Sequence, residues 1–324
     1  MVKANGYGLG AAWVAGVLSD AGVREFFVAT LEEGERLRRS LDAAVIYVLE
    51  GVRVGDDAVE RLRHSNLVPV LNTAEQVQRW RSLGRPAAVH VDTGMQRLGL
   101  SYTDAQDLLT LPGLDCRLLL SHFPRSDEAA YTGSDEQVAA MRALADRLPG
   151  PVRLSLCNSA GLLRGLGPEA LGRAGVALYG GNPFAGRDDP SGDDLVAVAC
   201  LEAQVLQLRD VSPGTAVGYG GSFTTQRPTR VAVLGVGYAD GLPRLVSNRG
   251  WVWAAGTRLP ILGRVSMDMV QVDATDVTLA VGDLVEVLGA HVPLTTVADW
   301  AETIPYEVLT GLDAANRLAR EEVR

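Results

Sequence analysis

The sequence predicts an α/β protein: a TIM-type (β/α)8 barrel followed by an all-β C-terminal domain. Two observations carry the barrel and a third carries the β domain. From Gly8 to about residue 180, short apolar β-type runs alternate with segments of helical periodicity, the pattern of βα units on a parallel sheet. The runs recur at intervals of roughly 20 to 35 residues, as a βα repeat requires. Beyond about residue 190 the texture changes to β-branched runs broken by Gly and Pro, with little helical period until the end, which reads as a separate β domain.

Taken in order, the apolar runs are Glu25 to Ala29, Ala44 to Leu49, Leu67 to Leu71, Ala87 to Asp92, Cys116 to His122, Val152 to Cys157 and Val176 to Tyr179. Helices are expected over 11–21, 31–40, 73–83 and 134–147. If the Lys3 segment is the end of an earlier strand, the strand total is eight, the number that closes the barrel. That first strand is then largely missing, because only Met1 and Val2 precede Lys3. The turn-rich stretch Gly180 to Pro190 is the natural linker, so residues 1–190 form the barrel domain and residues 191–324 the β domain. In the latter, strands are expected within Leu195 to Leu208, Arg230 to Val236, Trp251 to Ala255 and Leu284 to Leu288. Trp251 and Trp253 share one strand face, and that face is expected to lie in the β core.

Composition narrows the function classes. With 324 residues, 47% hydrophobic and 21% charged, the chain is ordinary, core-forming and globular. A net charge of −9 with dispersed arginines disfavours a nucleic-acid partner. No apolar run of about 18 residues and no signal-peptide pattern occurs, so a membrane is not expected and a cytoplasmic location follows. Cys116, Cys157 and Cys200 lack CxxC spacing, and the four histidines lie apart, so neither a disulfide framework nor a metal site is expected. The cysteines are expected to be small buried hydrophobes.

The chemistry concentrates where predicted strands end, the face on which barrel enzymes place their active sites. The stretch Val2 to Gly10 sets Lys3 beside Tyr7 and three glycines. A lysine there can make an imine, glycines admit close backbone approach, and a phenol supplies a directed hydrogen bond, a combination suited to pyridoxal 5'-phosphate (PLP). The fifth expected strand ends in His90 and Asp92 and leads into Arg97, Ser121-His122-Phe123 ends the sixth, and the seventh leads into Asn158-Ser159. Each has a bland explanation alone: Asp92 and Ser159 can cap helices, and His122 can be a satisfied core histidine. Together they bring a lysine, an arginine, a histidine, an amide and a hydroxyl to one face. Arg173, at the start of the expected eighth strand, needs a partner if buried, and the pyridine nitrogen of PLP is a candidate. An always-charged donor would keep that nitrogen unprotonated and weaken the ring as an electron sink, which favours returning the α-proton over transamination. In the β domain, Tyr238 stands between Gly237 and Gly241. A phenol becomes a base near neutrality only where positive charge or a hydrogen-bond chain lowers its pKa, for which His122 and Arg97 are the candidates. The run Gly263 to Met269 is either a structural Arg264–Asp268 pairing or a substrate-lining loop.

These segments, in this order and along essentially the whole chain, resemble the bacterial alanine racemases of PLP fold-type III. The resemblance rests on residues 2–10, Asp92 to Gly99, Ser121 to Phe123, Asn158 to Ala160, Arg173 to Gly180, Gly237 to Gly241, Gly263 to Asp268 and Tyr306-Glu307. It implies racemisation of L-alanine to D-alanine by two bases, supplying D-alanine for peptidoglycan. Lys3 would hold PLP and carry a proton on one face, and Tyr238 of a partner subunit would serve the other, which requires a homodimer. By the same resemblance Arg173 meets the pyridine nitrogen, His122 supports the tyrosine, and Arg97 and the Met267 backbone meet the carboxylate. Tyr7, Ser159, Gly175, Val176 and Tyr306 hold the phosphate.

The chain departs from that family at His90, where many relatives carry a lysine, at Leu9 and Ser155, where histidines are common, and at both ends. Beside an alanine racemase stand two other readings, a broad-specificity amino-acid racemase of the same fold and a truncated, non-catalytic PLP-binding paralogue.

Overall fold

The computed structural model describes residues 1–55, 57–148, 150–167 and 170–312. The departure at the C-terminal end, Asp313 to Arg324, lies outside the described residues. The chain divides into two compact units: Met1–Gly6, Gly10–Gly175 and Asp189–Gly192 form the first, and Tyr7–Leu9, Val176–Asp188 and the chain from Asp193 onward form the second.

The first unit is built on six parallel strands in sequential order: β1 (Glu25–Val28), β2 (Val45–Val48), β3 (Val68–Leu71), β4 (Pro86–His90), β5 (Asp115–Leu120) and β6 (Arg153–Ser155). After the helical turn α1 (Lys3–Tyr7) come α2 (Ala11–Asp20), α3 (Leu31–Arg38), α4 (Ala58–His64), α5 (Ala74–Arg81), α6 (Tyr102–Leu108), α7 (Gly133–Ala145) and α8 (Ser159–Leu163). The four expected helices correspond to α2, α3, α5 and α7. Side chains from successive strands, Phe27, Tyr47, Val70, Ala88, Leu118 and Leu120, form the buried interior. Short helices start where a side chain can take up an orphan N–H: Thr30, Thr73, Ser101 and Asn158 cap α3, α5, α6 and α8. At α3 the cap is reciprocal, because Thr30 N donates to Glu33 Oε2 at 3.4 Å, and Ala29 N adds a bond to the same oxygen at 2.7 Å.

Two strand expectations fail. The Lys3 segment is a helical turn, and only Val2 runs alongside the sheet, donating to Phe27 O at 3.0 Å. Val176–Tyr179 is a 3-10 turn rather than an eighth strand. Its two buried residues, Val176 and Tyr179, are three apart, the period of a 3-10 turn, and a four-residue apolar run does not distinguish that from a strand. The six-stranded order thus ends in β1 and β6, which are not paired with each other as strands. Across that seam Arg153 of β6 grips Glu25 of β1 with contacts of 2.5 and 2.7 Å, and Tyr47 donates to the same carboxylate at 2.8 Å.

The second unit centres on an antiparallel six-stranded sheet of β7 (Leu201–Val211), β10 (Thr229–Leu234), β11 (Trp251–Ala254), β12 (Thr257–Pro260), β13 (Val270–Asp273) and β14 (Leu284–Leu288), in the order β12-β11-β14-β7-β10-β13. A hairpin of β8 (Ala216–Val217) and β9 (Phe223–Thr224) and the helices α9 (Leu294–Trp300) and α10 (Pro305–Gly311) complete it. On β11 the alternation is the reverse of that expected: Val252 and Ala254 are buried, whereas Trp251 and Trp253 are half-exposed. The indoles lie on the outer face, where aromatic and cationic neighbours partly cover them. Trp251 lies edge-on to Trp300 beneath the Arg258 guanidinium, and Trp253 stacks on His291. Of the cysteines only Cys157 is fully buried. Cys116 is half-buried, and Cys200 is exposed because it lies just before β7 rather than within it.

Candidate active site

Lys3 begins α1, in which Ala4, Asn5, Gly6 and Tyr7 all have left-handed backbone torsions, Ala4 at φ 50° and ψ 50° and Asn5 at φ 51° and ψ 47°. Such a turn costs roughly 1–2 kcal/mol per non-glycine residue, so it persists only where its surroundings hold it. Gly6 N donates to Val2 O at 2.9 Å, Gly10 N to Asn5 O at 2.8 Å, and Ala11 N to Asn5 Oδ1 at 3.0 Å. Ala4 N donates to Glu33 Oε1 at 2.8 Å, while the other oxygen of that carboxylate caps α3. Glu33 therefore clamps the lysine turn to the start of α3. The sequence reading passed over Glu33, although the Thr30-x-x-Glu33 capping pattern was visible. Burial first, then the Arg97 guanidinium, lowers the Lys3 pKa from its ordinary value. Both effects enlarge the neutral, nucleophilic fraction of the amine.

Arg173 is the hub beside it, buried and extensively bonded. Its guanidinium donates to Ser155 O at 2.7 Å, Ser155 Oγ at 2.6 Å, Ser121 O at 2.6 Å, Leu156 O at 3.3 Å and His122 Nδ1 at 3.2 Å. The partner that its burial demanded is thus supplied largely by the ends of β5 and β6. Because Nδ1 of His122 accepts, the ring proton sits on Nε2. Burial and Arg173 depress the His122 pKa to about 3, so the imidazole is neutral near neutral pH. His122 is therefore not the source of positive charge that the sequence left open for lowering a tyrosine pKa. Ser155, where relatives often carry a histidine, serves Arg173 with both its carbonyl and its hydroxyl.

Arg97 is exposed on a loop that Asp92 shapes, its Oδ1 accepting from Gly94 N at 2.8 Å and Met95 N at 2.7 Å. Leu100 N donates back to His90 O at 2.8 Å and closes the loop on β4. Gly99 is required at that closure, since its φ is +116° and a Cβ would come 2.7 Å from Asp92 N. Ser159, expected either as a cap or as a ligand, accepts from Gly175 N at 2.9 Å, while the cap of α8 is Asn158.

In the second unit, Tyr7 stacks on Tyr179 at a centroid distance of 4.5 Å and lies 6.1 Å from Tyr306. Burial, with the neighbouring phenol, pushes the Tyr7 pKa above its usual range, so its hydroxyl is a neutral donor. Tyr179, which the sequence reading did not single out, has only its aromatic spacing as a signal. Tyr238 and Met267 form another group: Tyr238 N donates to Ser266 O and Ala239 N to Met267 O, both at 3.0 Å. Asp240 accepts from Gly237 N at 2.8 Å and tightens the turn. Only glycine fits at 237, where a Cβ would lie 2.2 Å from Met267 O. Both functional candidates here are open to solvent, Tyr238 by 43% and Met267 by 52%.

No group of His, Cys, Asp and Glu that could hold a metal occurs among the described residues, and no helix among them is long and apolar enough to cross a membrane. The donor set suits a phosphorylated aldehyde: an amine with a lowered pKa, a buried guanidinium, a neutral histidine and neutral hydroxyls. A parallel α/β barrel with such a lysine at its strand exits, followed by a β domain presenting a tyrosine, defines the class of PLP-dependent racemases. Family models agree along the chain, the alanine racemase N-terminal domain matching residues 1–183 and the C-terminal domain residues 198–321. The chain belongs to the alanine racemase family. It is 44% identical over 328 residues to a catabolic alanine racemase of Agrobacterium fabrum, covering 96% of this chain and 82% of that protein. It is 41% identical over 344 residues to the alanine racemase of Brucella canis, covering 99% of this chain and 86% of that protein. Among solved structures, the Bartonella henselae alanine racemase with covalently bound pyridoxal phosphate is similar at a TM-score of 0.85 and 40% identity, with 96% of this chain and 89% of that one covered.

Proposed function

We propose that this protein interconverts L- and D-alanine with PLP as cofactor, Lys3 and Tyr238 carrying protons on opposite faces of the substrate. The observation that supports this most is the Lys3 amine, held on a left-handed turn and lowered in pKa by burial and by Arg97. PLP, when bound, supplies a conjugated ring that takes up the electron pair released at the α-carbon. Lys3 would hold the cofactor through its Nζ, and the same amine would carry a proton on one face of the substrate. Arg173 would meet the pyridine nitrogen; a permanently charged donor there would leave that nitrogen proton-free and restrain side reactions. Arg97 and the Met267 backbone would orient the carboxylate, and Tyr7, Ser159, Gly175, Val176 and Tyr306 would hold the phosphate.

The active molecule in this reading is a homodimer in which Tyr238 is delivered by the second subunit, in keeping with its exposure. His122, bonded to Arg173 through Nδ1, offers its Nε2–H to the hydrogen-bond chain of that tyrosine. Residues 1–190 then act as the PLP-binding domain and 191–324 as the domain carrying the tyrosine. The setting is cytoplasmic and the product serves peptidoglycan; one relative bears the name of a catabolic alanine racemase. The test is borohydride reduction of the PLP-loaded protein followed by peptide mass analysis, together with racemisation assays. The adduct is expected on Lys3, and activity is expected to fall below detection in Lys3→Ala and by orders of magnitude in Tyr238→Phe. Undiminished racemisation in both variants would refute the reading.

A further inference from the structure

Tyr7 and Tyr179 are buried against each other as a stacked pair, with ring centroids 4.5 Å apart and planes 23° from parallel. Burial first, then the facing Tyr7 phenol, holds the Tyr179 hydroxyl above its usual pKa range, so both rings are neutral. Tyr7 has φ 53°, a left-handed torsion that a bulky side chain keeps only where its surroundings enforce it. The chain just after it is pressed onto α10, since a Cβ on Gly8 would lie 2.3 Å from Leu309 O. That contact fixes the backbone and leaves the direction of the phenol to the rings beside it. Tyr306 is further off, at 6.1 Å and tilted by 39°, so Tyr179 makes the closer and flatter contact.

Tyr179 is itself anchored. It ends the 3-10 turn that begins at Val176, a geometry in which residues three apart lie one above the other. Gly180 N donates to Ala177 O at 3.2 Å and Gly181 N to Val176 O at 3.0 Å, which seals the turn. One short turn thus carries at its start a residue assigned to the phosphate and at its end the ring that backs Tyr7. We propose that Tyr179 is a positioning residue for the cofactor phosphate, stacking on Tyr7 so that the Tyr7 hydroxyl is aimed at the group that the start of the same turn also meets. The inference rests on the phosphate-binding roles given to Tyr7 and Val176 above. A phenol whose direction is fixed before the ligand arrives loses less freedom when it donates its hydrogen bond, so stacking strengthens binding without itself touching the cofactor. The effect falls on the phosphate alone. Pyridoxal, which lacks that group, should be indifferent to Tyr179.

The experiment is equilibrium dialysis of PLP and of pyridoxal against the full chain and its variants. Tyr179→Leu is expected to weaken PLP binding about fivefold, the size of one aromatic stacking contact, with pyridoxal changed by less than about twofold. Tyr179→Phe keeps the ring and is expected to bind PLP as the unaltered chain does. Tyr7→Phe is expected to weaken PLP about tenfold, the size of one hydrogen bond to a charged acceptor. Adding Tyr179→Leu to Tyr7→Phe is then expected to cost nothing further, because no hydroxyl remains to be aimed. The proposal is overturned by an unchanged PLP affinity in Tyr179→Leu, by a loss that pyridoxal shares, by a loss undiminished in the Tyr7→Phe background, or by a Tyr179→Phe that loses as much as Tyr179→Leu. NMR of the chain carrying ¹³C-tyrosine decides even if Tyr179→Leu does not fold. A contact between the Tyr7 and Tyr179 ring protons is expected both before and after PLP is added, and its loss on loading overturns the proposal. If Tyr7→Phe leaves PLP binding unchanged, the role of Tyr7 fails separately from the stacking.

Discussion

Arg173 and Tyr238 sit at opposite extremes of environment. The arginine is 5% exposed and bonded to five acceptors at the ends of β5 and β6, whereas the tyrosine is 43% exposed on a turn held almost wholly by its backbone. One residue is woven into the fold it serves. The other is displayed by a rigid turn, its side chain left available. A substitution at the first should disturb stability and chemistry together, and one at the second should disturb chemistry alone.

The largest expected effect breaks the display itself. Gly237→Val drives a side chain into Met267 O and should abolish racemisation while borohydride labelling of Lys3 persists; retention of activity would show that the turn tolerates rearrangement. Arg173→Met comes next, leaving the carbonyls of Ser121, Ser155 and Leu156 without their donor. Unfolding by denaturant should reveal a loss of about 3 kcal/mol, in line with removing one member of a buried charged network. Acid should press on the same hub. His122 and His90 have native pKa values of about 3 and about 4, below the 6.5 of an unfolded histidine. The unfolded chain therefore binds more protons across that interval. The histidine contribution is intact above about pH 6.5, declines as pH falls, and is fully lost below about 4 for His90 and 3 for His122, on the order of 3 kcal/mol for His90 and 5 kcal/mol for His122. Denaturation midpoints for His122→Asn should show a flatter slope over this window. Ser155→Ala removes one acceptor while leaving the backbone carbonyl, and should cost about 1 kcal/mol. Smallest of all in stability, Tyr238→Phe should leave the unfolding free energy unchanged to within about 0.5 kcal/mol, while racemisation collapses. A large drop in stability there would erase the contrast.

The contrast also marks how far the sequence could be read. Helices α2, α3, α5 and α7 and strands β1 to β6 follow from periodicity and apolar runs because both are local consequences of one face meeting a core. Lys3, Arg97, His122, Arg173 and Tyr238 were visible as polar interruptions at the ends of such runs. Glu33 was not seen as the clamp of the lysine turn, nor Asn72 as the partner of the His90 ring, since each acts across 18 or more residues. The Val176–Tyr179 run was misread because four apolar residues fit a strand or a 3-10 turn equally, and the tryptophans of β11 because alternation does not say which face is inner.

By itself the sequence determined the two-part architecture, the family and the residue types the chemistry requires, because these depend on pattern and composition along the chain. The tertiary structure alone decided protonation and geometry: which nitrogen of His122 bears the proton, how Lys3 is held on left-handed backbone, and that Arg173 is served by strand-end carbonyls. Those properties arise from burial and from contacts between segments distant in sequence, and no local pattern encodes them.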